Sequence, residues 1–122
     1  MAISGVAAKL GNDGENLVID YLTKRGVQIL GRNWRIREGE IDVIAETKVG
    51  TVLFVEVKTR SGLAFGDPLE AITPEKAHRL QRLALAWLAT NQRLGAPYRI
   101  DVAGVLRSRS GEWSIDYREQ VL

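Results

Sequence analysis

The sequence predicts a single α/β domain spanning residues 1–122, with its elements in the order α-β-β-β-α-β-β. Three observations lead there. Two stretches, one before Gly26 and one after Thr73, place apolar residues at helical spacing behind polar capping residues. Five short runs rich in β-branched and aromatic residues occupy the remainder. At 122 residues, with 45% hydrophobic and 26% charged positions, the chain has the length and composition of one ordinary core.

Each element has its own grounds. The first helix is expected from about Asp13 to Arg25, with residues 1–12 read as a flexible N-terminus. Asn12 or Asp13 can cap it, and Gly26 suits the left-handed residue that follows a helix. On the helical wheel Leu17, Val18, Ile19, Tyr21 and Leu22 share one arc. Glu15 falls within that arc and Asp20 outside it. A strand region from Val27 to Ile36 follows, with a break expected at Gly31. In the strand Glu40 to Thr47, alternation assigns Ile41, Val43 and Ala45 to one face and Glu40, Asp42 and Ile44 to the other. Thr51 to Thr59 is the strongest strand signal, and the short turn before it predicts an antiparallel hairpin with the preceding strand.

Ser61 to Ile72, with Gly62, Gly66 and Pro68, reads as a loop able to close over a substrate. Thr73-Pro74-Glu75 opens the second helix with a cap, a proline at the first position and an acid at the positive end. Its buried stripe is Ala77, Leu80, Leu83, Ala84, Trp87 and Leu88. Gly95 and Pro97 are expected to stop it. Tyr98 to Leu106 and Glu112 to Tyr117 supply two further strands.

Composition excludes several chemistries. With no cysteine there is no disulfide, zinc finger, iron–sulfur cluster or thiol nucleophile. One histidine, His78, cannot build a multi-histidine metal site, and it is expected on the solvent side of its helix. No apolar window is long enough to span a bilayer, and Met1 to Leu10 lacks a basic leader region, so the expected location is the cytoplasm. Net charge is only +2, but its distribution is uneven. Lys24, Arg25, Arg32, Arg35 and Arg37 form one run without an acid; Lys76, Arg79, Arg82 and Arg93 form another. Between them Glu38, Glu40, Asp42 and Glu46 form a run without a base. The pattern suits a site holding both a metal cation and a polyanion; ordinary solvated surface is the plainer explanation.

The stretch that carries chemistry is Glu40-Ile41-Asp42, followed after thirteen residues by Glu56-Val57-Lys58. Glu56 is an acid planted among Phe54, Val55 and Val57, and the hairpin brings Asp42 close to it. Two carboxylates forced together repel, and one must hold its proton more tightly. A divalent cation relieves both the repulsion and the desolvation, and a site of oxygen ligands favours Mg²⁺ or Mn²⁺ over zinc. Lys58 adds an ammonium that can position water and offset charge on a phosphate. Glu15, aimed inward from the first helix, can complete the metal shell directly or through water. The competing explanation is a cross-strand salt bridge on an exposed sheet face, with Glu15 a simple helix N-terminal acid.

Asp42, Glu56-Val57-Lys58 and the element order resemble the PD-(D/E)xK nuclease superfamily. More closely, Gly14-Glu15, Tyr21-Leu22, Asn33-Trp34-Arg35, Gly39-Glu40-Ile41-Asp42, Phe54-Val55-Glu56-Val57-Lys58-Thr59-Arg60, the Gly66 to Lys76 stretch and Arg99-Ile100-Asp101-Val102 resemble the YraN family of endonuclease-like proteins. The resemblance covers nearly the whole chain. It implies a restriction-endonuclease-like core, a mixed central sheet flanked by helices, with a site like that of archaeal Holliday-junction resolvases. By this resemblance Asp42 is the central metal ligand, Glu56 the second, and the Val57 carbonyl the third. Lys58 is then the catalytic lysine and Glu15 the accessory acid. Two positions depart from the pattern: Ile41, not proline, precedes Asp42, a departure common in the wider superfamily, and Val18 stands where a small alanine is usual.

Nucleic acid, DNA ahead of RNA, is the partner these features imply, contacted through Arg35, Arg37, Arg60, Lys76 and Arg79. Arg60 is the strongest of these, because it follows the site directly. Trp34 can stack on a base or serve the core; Trp87 belongs to the core. Asp101 is expected to partner an arginine. The functional expectation is a metal-dependent nuclease hydrolysing phosphodiester bonds in nucleic acid, DNA ahead of RNA, with branched or damaged DNA among the candidate substrates and a symmetric homodimer one way to cut two strands in step. The alternative is a non-catalytic nucleic-acid-binding or adaptor module that keeps the nuclease fold.

Overall fold

The computed structural model describes residues 2–61 and 68–122. Its elements are α1 (Ala2–Lys24), β1 (Gln28–Ile36), β2 (Gly39–Glu46), β3 (Val52–Ser61), α2 (Pro74–Thr90), β4 (Tyr98–Arg107) and β5 (Trp113–Arg118), with a 3-10 turn at Pro68–Ala71 before α2. This is the α-β-β-β-α-β-β order expected of a restriction-endonuclease-like core. Residues 62–67 of the expected closing loop lie outside the described residues.

The five strands form one sheet in the order β1-β2-β3-β4-β5. β1, β2 and β3 pair antiparallel in succession, β3 and β4 are parallel, and β5 returns antiparallel to β4. The parallel pair needs a long crossover, and α2 provides it. Each helix covers one face. Val18 and Leu22 of α1 pack with Val43, Ala45, Leu53, Val55, Ala103 and Val105. Leu80, Leu83, Ala84, Trp87 and Leu88 of α2 pack with Ile41, Ile44, Val52, Phe54 and Ile100. Period-two alternation along β3 thus feeds two cores from one strand.

The helix ends follow local chemistry. Gly26 adopts φ 80°, and the N–H groups of Gly26 and Val27 donate to the carbonyls of Thr23 and Leu22 at 3.0 and 3.1 Å, which closes α1 with a Schellman pair. Thr73 caps α2 by accepting from the Lys76 N–H at 3.1 Å.

Four expectations need correction. α1 begins at Ala2 rather than Asp13, so Asn12 and Asp13 lie inside the helix and cap nothing. Gly31 does not break β1. The strand continues through it, with a register shift between Ile29 and Gly31. α2 ends before Gly95: Gln92 takes a left-handed φ of 54°, and the N–H of Arg93 donates to Leu88 at 2.7 Å. Finally, Ile41 faces the α2 core while Val43 and Ala45 face the α1 core, so alternation along β2 changes phase at Asp42.

That phase change has a visible cause. β1 pairs Arg32 with Val43 and Trp34 with Ile41, which leaves Asn33 opposite Asp42. Asn33 sits at φ 53°, a conformation asparagine tolerates better than most residues. The kink sends Arg32 toward α1 and Trp34 into the α2 core. Both strands therefore reverse their facing at one level of the sheet.

Candidate active site

The same level is where the sheet forks. The register of β2 with β3 runs from Glu46–Val52 to Val43–Val55 and ends there. β2 remains paired to β1 as far as Gly39, and β3 to β4 as far as Ser61. Asp42 and Glu56 are the first residues past the last pair. The Asp42 carboxylate takes over the missing ladder contact, accepting from the Val57 N–H at 2.8 Å. This bond turns Asp42 toward β3, where Glu56 acts on it by hydrogen bonding and by charge.

Two carboxyl groups in one fork cannot both ionise freely. Asp42 is pushed from its ordinary 3.8 up to about 8, first by burial, then by its hydrogen bond to Glu56 and the Glu56 charge, with a smaller contribution from Glu15. The Val57 N–H opposes the rise without overcoming it. Asp42 thus keeps its proton in the neutral range and donates it toward Glu56.

Glu56 has a second partner. Lys76 Nζ lies 2.7 Å from Glu56 Oε2, with the two side chains only 26% and 11% exposed. The cap at Thr73 pins the Lys76 backbone in the first turn of α2, which delivers its ammonium to the fork from the α2 side. Lys58 stands two residues beyond Glu56 on β3. It is exposed and makes no ion pair with any described residue.

Glu15 approaches from the α1 side. It influences Asp42, but it is paired with Arg32, whose Nε lies 3.4 Å from Glu15 Oε1. The same guanidinium donates to Asn16 Oδ1 at 2.6 Å and Asn12 Oδ1 at 2.8 Å, so Arg32 fastens α1 to β1. Gly14 sets how near α1 can come. A Cβ there would stand 2.0 Å from Thr59 Oγ1, so only glycine admits this contact. Among the described residues the buried Thr59 hydroxyl has no hydrogen-bond partner.

The structure therefore brings Asp42 and Glu56 together and adds Lys76, which sequence reasoning placed only among the phosphate contacts. Arg32, counted there only as one of five cations, is the residue that holds Glu15. Among the described residues, no three acidic or histidine side chains gather closely enough to enclose an ion. The donor set still fits a magnesium-like cation, which commonly takes one or two carboxylates and keeps several waters. Asp42, Glu56 and the Val57 carbonyl are the protein oxygens available, and Glu15 is left a place through water.

The predicted phosphate contacts divide. Arg35 is 75% exposed and bonded to Glu40 at 2.6 Å. Arg37 is exposed at the β1–β2 turn, and Arg79 of α2 is exposed beside Gly39 of the same turn. Arg60 is half-buried at the end of β3. His78 is exposed, as expected, and Trp87 is buried at 6%. Trp34 packs against the α2 core. Asp101 does partner an arginine, Arg99, and does more besides. It is wholly buried and accepts from Arg99 Nε at 3.1 Å, Tyr117 Oη at 2.6 Å and the Gln120 N–H at 2.9 Å. The two departures from the family pattern, Val18 and Ile41, are core positions at 0% and 1% exposure. No described helix is long and apolar enough to cross a membrane.

Comparison with known proteins gives the family. A protein from Mycolicibacterium smegmatis described as a UPF0102 protein is 52% identical over 104 residues, 84% of each chain. One from Clavibacter michiganensis subsp. michiganensis, likewise described, is 49% identical over 107 residues, 88% of this chain and 90% of that one. Among solved structures, a repair endonuclease from Pyrococcus abyssi aligns with TM-score 0.38 and 20% identity over 76% of this chain and 34% of its own. SfsA from Pyrococcus furiosus, in complex with Ca²⁺, aligns with TM-score 0.41 and 19% identity over 93% of this chain and 63% of its own. The model of the uncharacterised protein family UPF0102 matches residues 14–105, a span that includes Glu15, Asp42, Glu56, Lys58 and Lys76, and the chain belongs to that family, which is the YraN family.

Proposed function

We propose that this protein hydrolyses phosphodiester bonds in nucleic acid, DNA ahead of RNA, with Mg²⁺ or Mn²⁺ held by Asp42, Glu56 and the Val57 carbonyl. The observation that carries the reading is the paired carboxyl group in the fork between β2 and β3, with a lysine two residues further along β3. A salt bridge on an exposed face would not explain why two acids are driven into one half-buried fork.

When bound, the ion would polarise the phosphate oxygens and acidify a water. The chain's own residues do the rest. The Val57 N–H fixes the direction of Asp42. Lys58, exposed and without a described ion pair, is free to orient the attacking water and to offset charge growing on the phosphate. Glu15, steadied by Arg32, can hold a water at the α1 side. Arg37 and Arg79 flank one turn and Arg60 ends β3, positions from which they can grip the phosphate backbone without reading sequence. The edges β1 and β5 are the strands a homodimer could extend. With no cysteine to protect and no described membrane helix, we place the activity in the cytoplasm.

The second reading is a non-catalytic nucleic-acid-binding module. The Lys76–Glu56 ion pair favours it, because it neutralises Glu56 without a metal. Cleavage of branched, single-stranded and duplex DNA and of RNA, with Mg²⁺ or Mn²⁺, separates the two. The wild type should cut at least one substrate. Asp42→Asn and Lys58→Ala should each lose cutting by about 100-fold or more while still binding. Equal behaviour of the three proteins would rule out the enzyme.

A further inference from the structure

We infer that Lys76 is the site's resident counter-cation, which a divalent ion must displace from Glu56 before it can bind. The inference rests on Asp42 and Glu56 being the metal ligands. It starts from geometry. The Lys76 ammonium already occupies the cation position on Glu56, 2.7 Å from Oε2. That bond is sheltered, since both side chains are largely buried. Lys58, the lysine the motif singles out, is exposed and makes no such bond. The two lysines near Glu56 therefore have different work: one faces solvent, the other fills the fork.

A divalent ion bonded to Glu56 would stand close to the Lys76 ammonium on Oε2, and the two cations repel. The structure allows Lys76 to leave without disturbing the fold. Its backbone N–H is held by Thr73, so α2 stays seated while the flexible four-carbon stem swings the head away. Displacement leaves that head beside the metal on the α2 side, with Arg79 one turn further along the same helix. A phosphate arriving with the metal would meet it there. Lys76 thus tunes the site: it keeps Glu56 neutralised without metal and lowers the affinity for the ion.

The test uses the full chain and Mn²⁺ itself, with bound and free ion separated by electron paramagnetic resonance. Lys76→Met should bind Mn²⁺ about tenfold tighter than the wild type, as expected when a nearby like charge is removed. Lys76→Arg, which keeps the charge, should not tighten. A companion measurement needs no variant. Titrating the wild type with Mg²⁺ should shift the Lys76 Hε–Cε signal in step with occupancy. Wild-type binding with equal or weaker binding by Lys76→Met, or an unmoved Lys76 signal at saturation, overturns this inference and leaves the nuclease reading standing. No binding by any of the proteins overturns both. Binding by Lys76→Met alone supports the inference in its strongest form.

Discussion

Replacing Asp42 by asparagine should stabilise the metal-free protein, and increasingly so as pH rises. In the unfolded chain Asp42 ionises near 3.8; in the folded protein it holds its proton to about 8. Between those values the folded state binds the extra proton, so wild-type stability falls as pH increases and levels off above about 8. Asparagine is nearly isosteric. Its amide oxygen can still accept from Val57, and its amide N–H can replace the carboxylic O–H that faces Glu56. The variant therefore keeps the contacts and loses the titration. A move from 3.8 to about 8 sets an upper bound of about 6 kcal/mol. Solvent reaches the half-buried fork and Lys76 already neutralises Glu56, so about a third of that, ~2 kcal/mol, is the expected gain at pH 9. Urea unfolding with chelator present, at pH 5, 7 and 9, measures it. The advantage of Asp42→Asn should grow across that series. A constant difference, or a variant less stable than wild type at pH 9, would refute the reasoning and favour a plain structural role for Asp42.

Further predictions concern the scaffold. Asp101→Ala strips the acceptor from Arg99, Tyr117 and Gln120 at once and should cost about 3–5 kcal/mol in urea unfolding; Tyr117→Phe, losing one bond to a buried charge, should cost about 2 kcal/mol. Gly14→Ala drives a methyl group into Thr59 and should cost about 1–3 kcal/mol by overpacking. Thr59→Ala removes the 2.0 Å Oγ1 contact and the Cγ2 but keeps the Cβ 3.0 Å away, so the double variant should recover part of the loss.

The elements of the fold are largely legible in the sequence, because local chemistry fixes them. Thr73-Pro74 announces a helix start, Gly26 a helix end, and Thr51 to Thr59 a strand. The acid pair is legible for a similar reason: Glu56 stands out against Phe54, Val55 and Val57. What escapes the sequence is tertiary. Asn12-Asp13-Gly14 looks like a helix start, yet the helix runs through it. Asn12 is used instead to bind Arg32, and Gly14 to admit Thr59. Simple alternation misplaces Ile41 because it cannot foresee the left-handed Asn33 across the strand pair. Lys76 reads as one more cation on a basic helix. Only the crossover of α2 over the sheet puts it on Glu56, although its place in the first turn behind the Thr73 cap was already a hint of where it would point. Gln92 ends α2 where no glycine advertises it, a reminder that packing can impose a left-handed residue.

A cation bound by Asp42 and Glu56 should lie where β2 and β3 part. Diffraction from crystals soaked in Mn²⁺, recorded near the manganese absorption edge, tests it most directly. One anomalous peak is expected in the fork, bonded to oxygens of both carboxylates, with Lys76 moved off Glu56. A fork without such a peak, and with the 2.7 Å Lys76–Glu56 bond intact at saturating Mn²⁺, would contradict it.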